Sequence, residues 1–231
     1  MEILGITLAR GGSKGVLKKN IRTLCSKPLI QYTIDEALKS NLINNYIVST
    51  DDKEIALIAE KLGAGVPFLR PTKYATDRAS SVSALQHAVN FMEKINSIKY
   101  DIIVELMCTN PLKTFKDIDA AISKMIETNA SSVIAVHELE DHHPARIKKI
   151  VDDKIVDFAV EEPNEARRQD LKPKAYIRSG SIYCMKREYL MEENKRYGGS
   201  NSRPYLLPPE RAINIDTEID FLIAEQVMKK N

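Results

Sequence analysis

Residues 3–15 read ILGITLARGGSKG, and this stretch indicates the fold class. Its leading apolar run, Ile3–Leu8, predicts a strand covered on both faces, as in a parallel sheet. Three glycines, at positions 11, 12 and 15, interrupt the chain before helical periodicity starts at Pro28. A strand, a glycine-rich loop and a helix in this order predict the start of an α/β fold.

The alternation of strands and helices continues along the first half of the chain. Further strands are predicted at Tyr46–Val48, Ile102–Leu106 and Val133–Val136. Helical periodicity marks the segments around them, at 28–37, 54–62, 80–92 and 118–126. We therefore expect a mostly parallel central sheet flanked by helices on both faces.

The pattern changes near Glu138. From there to about Ile177 the chain is highly charged and contains a strand-like piece at Lys154–Phe158. We interpret 138–177 as an inserted arm and 1–137 with 178–231 as the main α/β domain.

The last part of the chain returns to the α/β pattern. Strands are predicted at Ser181–Met185 and Ala212–Ile215, followed by a helix at Thr217–Met228. The residues of that helix expected to face inward are Ile219, Leu222, Ile223 and Val227.

Composition excludes several classes of protein. The 231 residues are 43% hydrophobic and carry a net charge of +2, which predicts a globular domain and no general nucleic-acid binding. No apolar run is long enough for a membrane helix, and the amino terminus has no basic leader or cleavage site. Cys25, Cys108 and Cys184 are too far apart for a zinc pattern. We expect a cytoplasmic protein.

The loop after the first strand carries the chemistry. Its cations are Arg10, Lys14, Lys18, Lys19 and Arg22, and no carboxylate lies between the first and the last of them. Glycine lets backbone N–H groups converge on one point, which attracts an anion. The loop matches neither the P-loop nor the dinucleotide fingerprint. It predicts a triphosphate site, with a mobile basic surface loop as the alternative.

The order of motifs resembles the N-acylneuraminate cytidylyltransferases, the CMP-sialic acid synthetases. The match begins with ARGGSKG at 9–15, KNIR at 19–22 and KPLI at 27–30. It continues with IVSTD at 47–51, LRP at 69–71, ASS at 79–81, HHP at 142–144, RQDL at 168–171 and IDTEID at 215–220. The resemblance covers essentially the whole chain and implies a Rossmann-like nucleotidyltransferase fold.

The resemblance implies transfer of CMP from CTP to the anomeric hydroxyl of a nonulosonic acid, with release of pyrophosphate. It assigns Arg10 and Lys19 to the triphosphate as catalytic groups. The other residues it assigns to the nucleotide are Gly11, Gly12, Ser13, Asn20, Arg70, Ala79 and Ser81. Arg70 and the backbone of Ala79 would contact cytosine, and Ser81 would lie near the ribose and the sugar.

The resemblance also implies a Mg²⁺ ion, with Asp216 as its catalytic ligand and Asn214 beside it. Asp216 precedes a helix, so it could instead be the N-cap. Thr217 and Asp220 form a capping-box pair that would leave Asp216 free for the metal.

In the family, the inserted arm forms a dimer and reaches into the partner's site. Arg146 and Arg168 are the candidates that would face the sugar carboxylate, and a charged solvent-exposed surface is the alternative for either. The resemblance implies a homodimer.

Two positions depart from the family pattern. Met107 stands where a glutamine usually contacts the sugar, and a thioether is a poor hydrogen-bonding group. Asn214 replaces a usual aspartate, which predicts a weaker or shifted metal. N-acetylneuraminate, legionaminate, pseudaminate and a deaminated nonulosonate all stay open as substrates. The rival functions are a 3-deoxy-octulosonate or other sugar nucleotidyltransferase and a catalytically silent nucleotide-binding relative.

Overall fold

Six strands form the central sheet of the computed structural model, which describes residues 1–13, 15–139, 142–163 and 167–230. The described residues form ten strands, of which two further pairs, β2 with β3 and β7 with β8, lie outside the central sheet. They are β1 (Ile3–Leu8), β2 (Thr23–Leu24), β3 (Lys27–Pro28), β4 (Asn45–Ser49), β5 (Ile102–Leu106), β6 (Ser132–Glu138), β7 (Lys148–Val151), β8 (Lys154–Asp157), β9 (Tyr176–Lys186) and β10 (Ser202–Leu206). The helices are α1 (Leu29–Lys39), α2 (Lys53–Lys61), α3 (Ser81–Asn96), α4 (Phe115–Thr128), α5 (Arg187–Met191) and α6 (Glu218–Lys230).

The strand order in the central sheet is β10-β6-β9-β5-β1-β4. β1 runs parallel to β4 and β5, and β10 runs parallel to β6, whereas β9 is antiparallel to both of its neighbours. The expected mostly parallel sheet is confirmed. Because β1, β4 and β5 point the same way, the loops that follow them meet at one edge of the sheet, where α/β folds bind ligands.

Helix starts near that edge are fixed by side-chain caps. The Asp52 carboxylate accepts the N–H groups of Glu54 and Ile55 at the start of α2. The Ser80 hydroxyl accepts the N–H of Ser83 at the start of α3. These caps satisfy N–H groups that the helix itself leaves free, and they fix where the preceding loops end.

The predicted strand at Ala212–Ile215 is wrong. The segment is irregular, and its apolar residue Ile215 is fully buried against Leu24 and Leu29. Its alternating pattern therefore reflects loop packing instead of strand pairing. The strand of the central sheet that the sequence did not predict is β10. Its sequence, SRPYL, contains a proline and its residues are mostly exposed, and neither feature indicates a strand.

The predicted inward face of the last helix is also wrong. Ile219, Leu222 and Ile223 are 67%, 59% and 48% exposed. Instead, α6 packs through Phe221 and Ala224. The apolar stripe predicted the helix correctly and its orientation incorrectly.

Within 138–177, β7 and β8 form a two-stranded antiparallel hairpin separate from the central sheet. Its apolar side chains are largely exposed, with Ile150 at 77%, Ile155 at 76% and Phe158 at 60%. None of the helices in the described part of the chain is both long enough and apolar enough to cross a bilayer.

Both edges of the central sheet are occupied or interrupted. At the β10 edge, Pro204 has no N–H, and its carbonyl accepts a hydrogen bond from Lys124 Nζ at 2.6 Å. At the β4 edge, single bridges join Ile47 to Gly65 and Thr50 to Leu69.

Asp117 joins α4 to the segment after β10. Its carboxylate is 2% exposed, closes a capping box with Thr114, and accepts hydrogen bonds from Tyr205 Oη and Arg211 Nη2, both at 2.8 Å. We expect Asp117→Ala to lower the free energy of unfolding by about 2–3 kcal/mol, because it leaves several donors unpaired. Urea denaturation measures this. Glu127→Ala, an exposed site on the same helix, should stay within about 0.5 kcal/mol of the parent, and equal effects of the two changes would contradict the assignment.

Candidate functional site

A cleft of about 290 Å³ lies at the carboxyl ends of β1 and β5. Five of the residues assigned from sequence line it together: Arg10, Arg70, Ala79, Ser81 and Met107. The remaining lining residues are Leu8, Tyr74, Ala75, Thr76, Asp77, Ser80, Ala84 and Glu105. Four of the predicted nucleotide residues, from three separate segments, and Met107 from the predicted sugar subsite therefore share one surface. The other five, Gly11, Gly12, Ser13, Lys19 and Asn20, do not line this cleft.

Arg10 is held at the mouth of this cleft from two sides. Its Nη1 donates to Asp77 Oδ1 at 2.9 Å, and 36% of its side chain stays exposed. The buried Asn20 donates from Nδ2 to the Arg10 carbonyl at 3.0 Å. Asn20 therefore positions the loop backbone, and the guanidinium remains accessible to an incoming anion.

The glycine loop passes close to two other segments. The Gly11 N–H donates to Asp51 Oδ1 at 3.1 Å, and a Cβ on Gly11 would come within 2.6 Å of Asp52 Oδ2. A Cβ on Gly15 would come within 2.3 Å of the Asp216 carbonyl oxygen. Both glycines are needed for close approach. Gly12 has open space around it, and Lys14 lies outside the described residues.

Ser13 lies at a turn in the same loop. Its N–H donates to the Gly11 carbonyl at 3.0 Å, so its backbone donor is engaged within the loop.

Lys19 connects the glycine loop to the segment before α6. Its Nζ donates to the Ile215 carbonyl at 2.8 Å and to Asp216 Oδ1 at 3.0 Å. The Lys19 side chain is only 14% exposed, whereas that of Asp216 is 64% exposed. A cation and a carboxylate are thus fixed side by side, with the carboxylate facing solvent.

Asp216 is not the helix cap. Asp220 accepts the N–H groups of Asp216 and Thr217, and the Thr217 hydroxyl accepts the Asp220 N–H, so the predicted capping pair is present. The Asp216 carboxylate instead accepts a hydrogen bond from Asn214 Nδ2 at 2.5 Å. Asn214 Oδ1 is buried near Gly180 and has no hydrogen-bond partner among the described residues.

A single exposed carboxylate fits Mg²⁺, since this ion is commonly held by one or two carboxylates together with phosphate oxygens. Among the described residues, no group of three or more His, Cys, Asp or Glu side chains is placed to hold a metal ion by itself. Phosphate oxygens of a bound nucleotide would have to supply further ligands. Asn214 turns its amide nitrogen toward Asp216, so its oxygen does not face the same point.

Arg70 is almost fully buried under the cleft. Its guanidinium donates to the carbonyls of Ser49 and Tyr74, and Nε is buried with no partner in the part of the chain that the structure describes. Burial lowers the pKa of this guanidinium. The Ala79 N–H donates to the Thr76 carbonyl at 3.1 Å, so that backbone donor is already used. Arg70 thus fixes the loop that carries Tyr74.

A family model described as "Cytidylyltransferase" matches residues 4–198. The chain belongs to the cytidylyltransferase family. The expected nucleotidyltransferase class is thereby confirmed.

Curated relatives match the cytidylyltransferase over nearly its whole length. A pseudaminic acid cytidylyltransferase of Campylobacter jejuni is 33% identical, covering 100% of this chain and 98% of the relative. A CMP-N,N'-diacetyllegionaminic acid synthase of the same species is 34% identical, covering 97% and 94%. Among solved structures, a CMP:2-keto-3-deoxy-manno-octonic acid synthetase complexed with CTP has a TM-score of 0.73 at 17% identity, covering 100% of this chain and 99% of that one. That structural likeness supports the fold.

Glu105 of the cytidylyltransferase was missed by sequence reasoning. It lies on β5, lines the cleft, is fully buried, and forms an ion pair with Arg196. Burial raises the pKa of the Glu105 carboxyl, and the Arg196 guanidinium opposes that shift. The signal was present, because Glu105 is the only charged residue within the buried run IIVEL.

The two arginines predicted to face the sugar do not line the cleft of their own chain. Arg146 lies on the arm, with Nε 3.8 Å from a Glu162 carboxylate oxygen. Arg168 is exposed and lines a second cavity of about 300 Å³ with His143 and Leu171. Their assignment to sugar binding stays a prediction.

Proposed function

We propose that the protein transfers CMP from CTP to the anomeric hydroxyl of a sialic-acid-like nonulosonic acid and releases pyrophosphate. The observation that carries the proposal is the cleft in which Arg10, at the start of the glycine loop, comes together with Arg70, Ala79 and Ser81. The printed names of the C. jejuni relatives support this substrate class, since both act on or form nonulosonic acid derivatives.

The residues act mainly by positioning and by stabilising charge. The sugar hydroxyl oxygen forms a bond to the α-phosphorus, the bond to the bridging oxygen of pyrophosphate breaks, and the hydroxyl proton passes to solvent. Negative charge grows on the leaving pyrophosphate. Arg10 and Lys19 would stabilise it as fixed cations, since neither has to move far from the position in which Asp77 and Asp216 hold it.

Asp216 would hold Mg²⁺ together with oxygens of the triphosphate. The bound ion would neutralise phosphate charge. Asp216 is suited to this because its carboxylate is exposed and is not needed as a helix cap.

We expect Asn214→Asp to lower the Mg²⁺ concentration needed for half-maximal rate by several-fold. The change adds a second carboxylate beside Asp216 and removes the amide hydrogen bond to it. A Mg²⁺ titration of pyrophosphate release at saturating CTP measures the effect. An unchanged titration would argue against a metal beside Asn214. Glu54→Gln is the matched control, because it alters a carboxylate that pairs with Lys18 and not with the Asn214–Asp216 pair. It should leave the Mg²⁺ titration unchanged.

We further propose a cytoplasmic homodimer. Support for the dimer comes from the exposed apolar side chains of the β7–β8 hairpin, which a partner would cover. Arg146 and Arg168 would then serve the partner's sugar site. Support for the compartment comes from the three free cysteines, Cys25, Cys108 and Cys184.

The deciding experiment is pyrophosphate release with CTP and a panel of acids that includes N-acetylneuraminate, legionaminate, pseudaminate and 3-deoxy-octulosonate. We expect turnover with at least one nonulosonic acid. Turnover with the octulosonate alone would favour the octulosonate enzyme. CTP binding with no turnover on any acid would favour a catalytically silent relative.

A further inference from the structure

One oxygen of Glu105 has no hydrogen-bond partner in the described chain. Oε2 pairs with Arg196, whereas Oε1 is buried and unpartnered. The side chain is 0% exposed and belongs to the cleft lining. A buried carboxylate oxygen without a donor is costly, so such an atom in a binding site calls for a donor from the ligand.

The strand order places Glu105 on a different strand from the one that Arg70 contacts. In the sheet order, β4 is followed by β1, β5 and then β9. Arg70 is bound at the end of β4, whereas Glu105 lies on β5 beside Tyr183 of β9. Glu105 and Met107 are two residues apart and therefore project from the same face of the sheet. Glu105 thus belongs to the part of the cleft lining that holds Met107, the predicted sugar contact.

The carboxylate is held rigidly. Arg196 stacks over the rings of Tyr183 and Tyr197, with its guanidinium carbon 4.8 Å and 5.6 Å from the ring centroids. A guanidinium has only donors, so the oxygen that faces it is committed, and Oε1 is the oxygen of this cleft-lining residue that is left for a donor of a ligand. A fixed acceptor of this kind selects ligands by the presence of a donor at one place.

We propose that Glu105 is a specificity-determining residue whose Oε1 accepts the N–H of an acylamino group on the sugar. This inference rests on the proposed function and specifies the substrate class. The sugar's own carboxylate is repelled by Glu105, so a neutral donor fits, and among the sugar's N–H and O–H donors the apolar Met107 in the same lining favours the acylamino N–H. The relative that forms CMP-N,N'-diacetyllegionaminic acid handles a sugar with two such groups. The apolar side chain of Met107 next to Glu105 offers a contact for the acyl methyl group.

Glu105→Gln tests the proposal with little change of shape. Because Arg196 accepts nothing, the new amide must turn its oxygen to Arg196 and its NH₂ to the cleft. The acceptor becomes a donor, which opposes the sugar N–H. We expect kcat/KM for an acetamido nonulosonic acid to fall roughly tenfold to a hundredfold through a higher KM for the acid. The dissociation constant for CTP alone should stay within about twofold of the parent value. General damage to the fold would also weaken CTP binding, so this measurement separates a local effect on the acid from misfolding.

A substrate series on the unmodified enzyme gives the same test without any variant. The acetamido acid is compared with its N-methyl derivative and with an acid that carries hydrogen in place of the acetamido group. We expect the enzyme to prefer the acetamido acid by roughly tenfold, and Glu105→Gln to abolish that preference. Glu93→Gln is the matched control, since Glu93 forms a similar partly buried pair with Arg187 at 2.6 Å, outside the cleft. It should keep the preference.

Two results would overturn the role of Glu105. One is equal turnover of the acetamido and N-methyl acids by the unmodified enzyme. The other is weaker binding of CTP alone to Glu105→Gln, which would assign Oε1 to the cytosine amino group. Absence of turnover with every nonulosonic acid is a different outcome, because it overturns the proposed function itself.

Discussion

We expect Lys19→Ala and Arg10→Ala each to lower kcat by about a hundredfold or more. Both side chains are cations fixed near the glycine loop, and pyrophosphate leaves with additional negative charge. Arg10 is oriented by Asp77 and Lys19 by Asp216, so they meet that charge without reorganising. Losing one preorganised cation removes an interaction that is stronger in the transition state than in the ground state.

Lys18→Ala is the control for the charge deletion. Lys18 and Lys19 are adjacent and carry the same charge, but Lys18 pairs with Glu54 at 2.6 Å, and 59% of its side chain is exposed. We expect Lys18→Ala to change kcat by less than about threefold. Single-turnover pyrophosphate release at saturating CTP and acid separates the effect on chemistry from weaker binding. Unimpaired turnover in both Lys19→Ala and Arg10→Ala would refute the site.

Gly15→Ala should lower kcat/KM for CTP by about tenfold or more. A Cβ at this position would lie 2.3 Å from the Asp216 carbonyl oxygen, a distance that forces one backbone segment to move. The glycine loop would then move away from Asp216, the residue proposed to hold Mg²⁺. Lys19 Nζ would lose its hydrogen bonds to the Ile215 carbonyl and to Asp216 Oδ1. Displacements of this size in a transferase site are costly because the reaction depends on positioning.

Gly65→Ala is the comparison for this substitution. Gly65 bridges the β4 edge, and a Cβ there would meet its nearest atom, the Tyr46 carbonyl oxygen, at a tight but tolerable 3.2 Å. We expect a modest loss of thermal stability and unchanged affinity for CTP. Isothermal titration with CTP and thermal unfolding distinguish the two variants. Parental CTP affinity and turnover in Gly15→Ala would contradict the close packing of loop and metal segment.

The sheet was predictable from sequence where strands are buried on both faces. Ile3–Leu8 and Ile102–Leu106 are short, mostly apolar runs, as is typical of strands buried on both faces. The prediction failed where local pattern and tertiary packing disagree. Ile213 and Ile215 alternate as in a strand but pack in a loop, and β10 pairs although it contains a proline.

The candidate site was predictable as a set of segments. Arg10, Arg70, Ala79 and Ser81 follow from motifs, and the fold brings them to one cleft. The hydrogen bonds and ion pairs that hold the cleft residues in place were not predictable from the sequence. Glu105 finds its partner 91 residues away in Arg196, and no local pattern encodes a pair formed across the sheet.

The two borders of the central sheet restrict how copies of the chain can associate. Pro204 offers no donor at one border, its carbonyl is taken by Lys124, and single bridges shield the other border at Gly65 and Leu69. Strand-by-strand growth into a continuous intermolecular ribbon is therefore obstructed at both ends, which protects the chain against fibril-like stacking. Self-association that avoids the central sheet has other surfaces available, such as the β7–β8 hairpin and the outer side of α6.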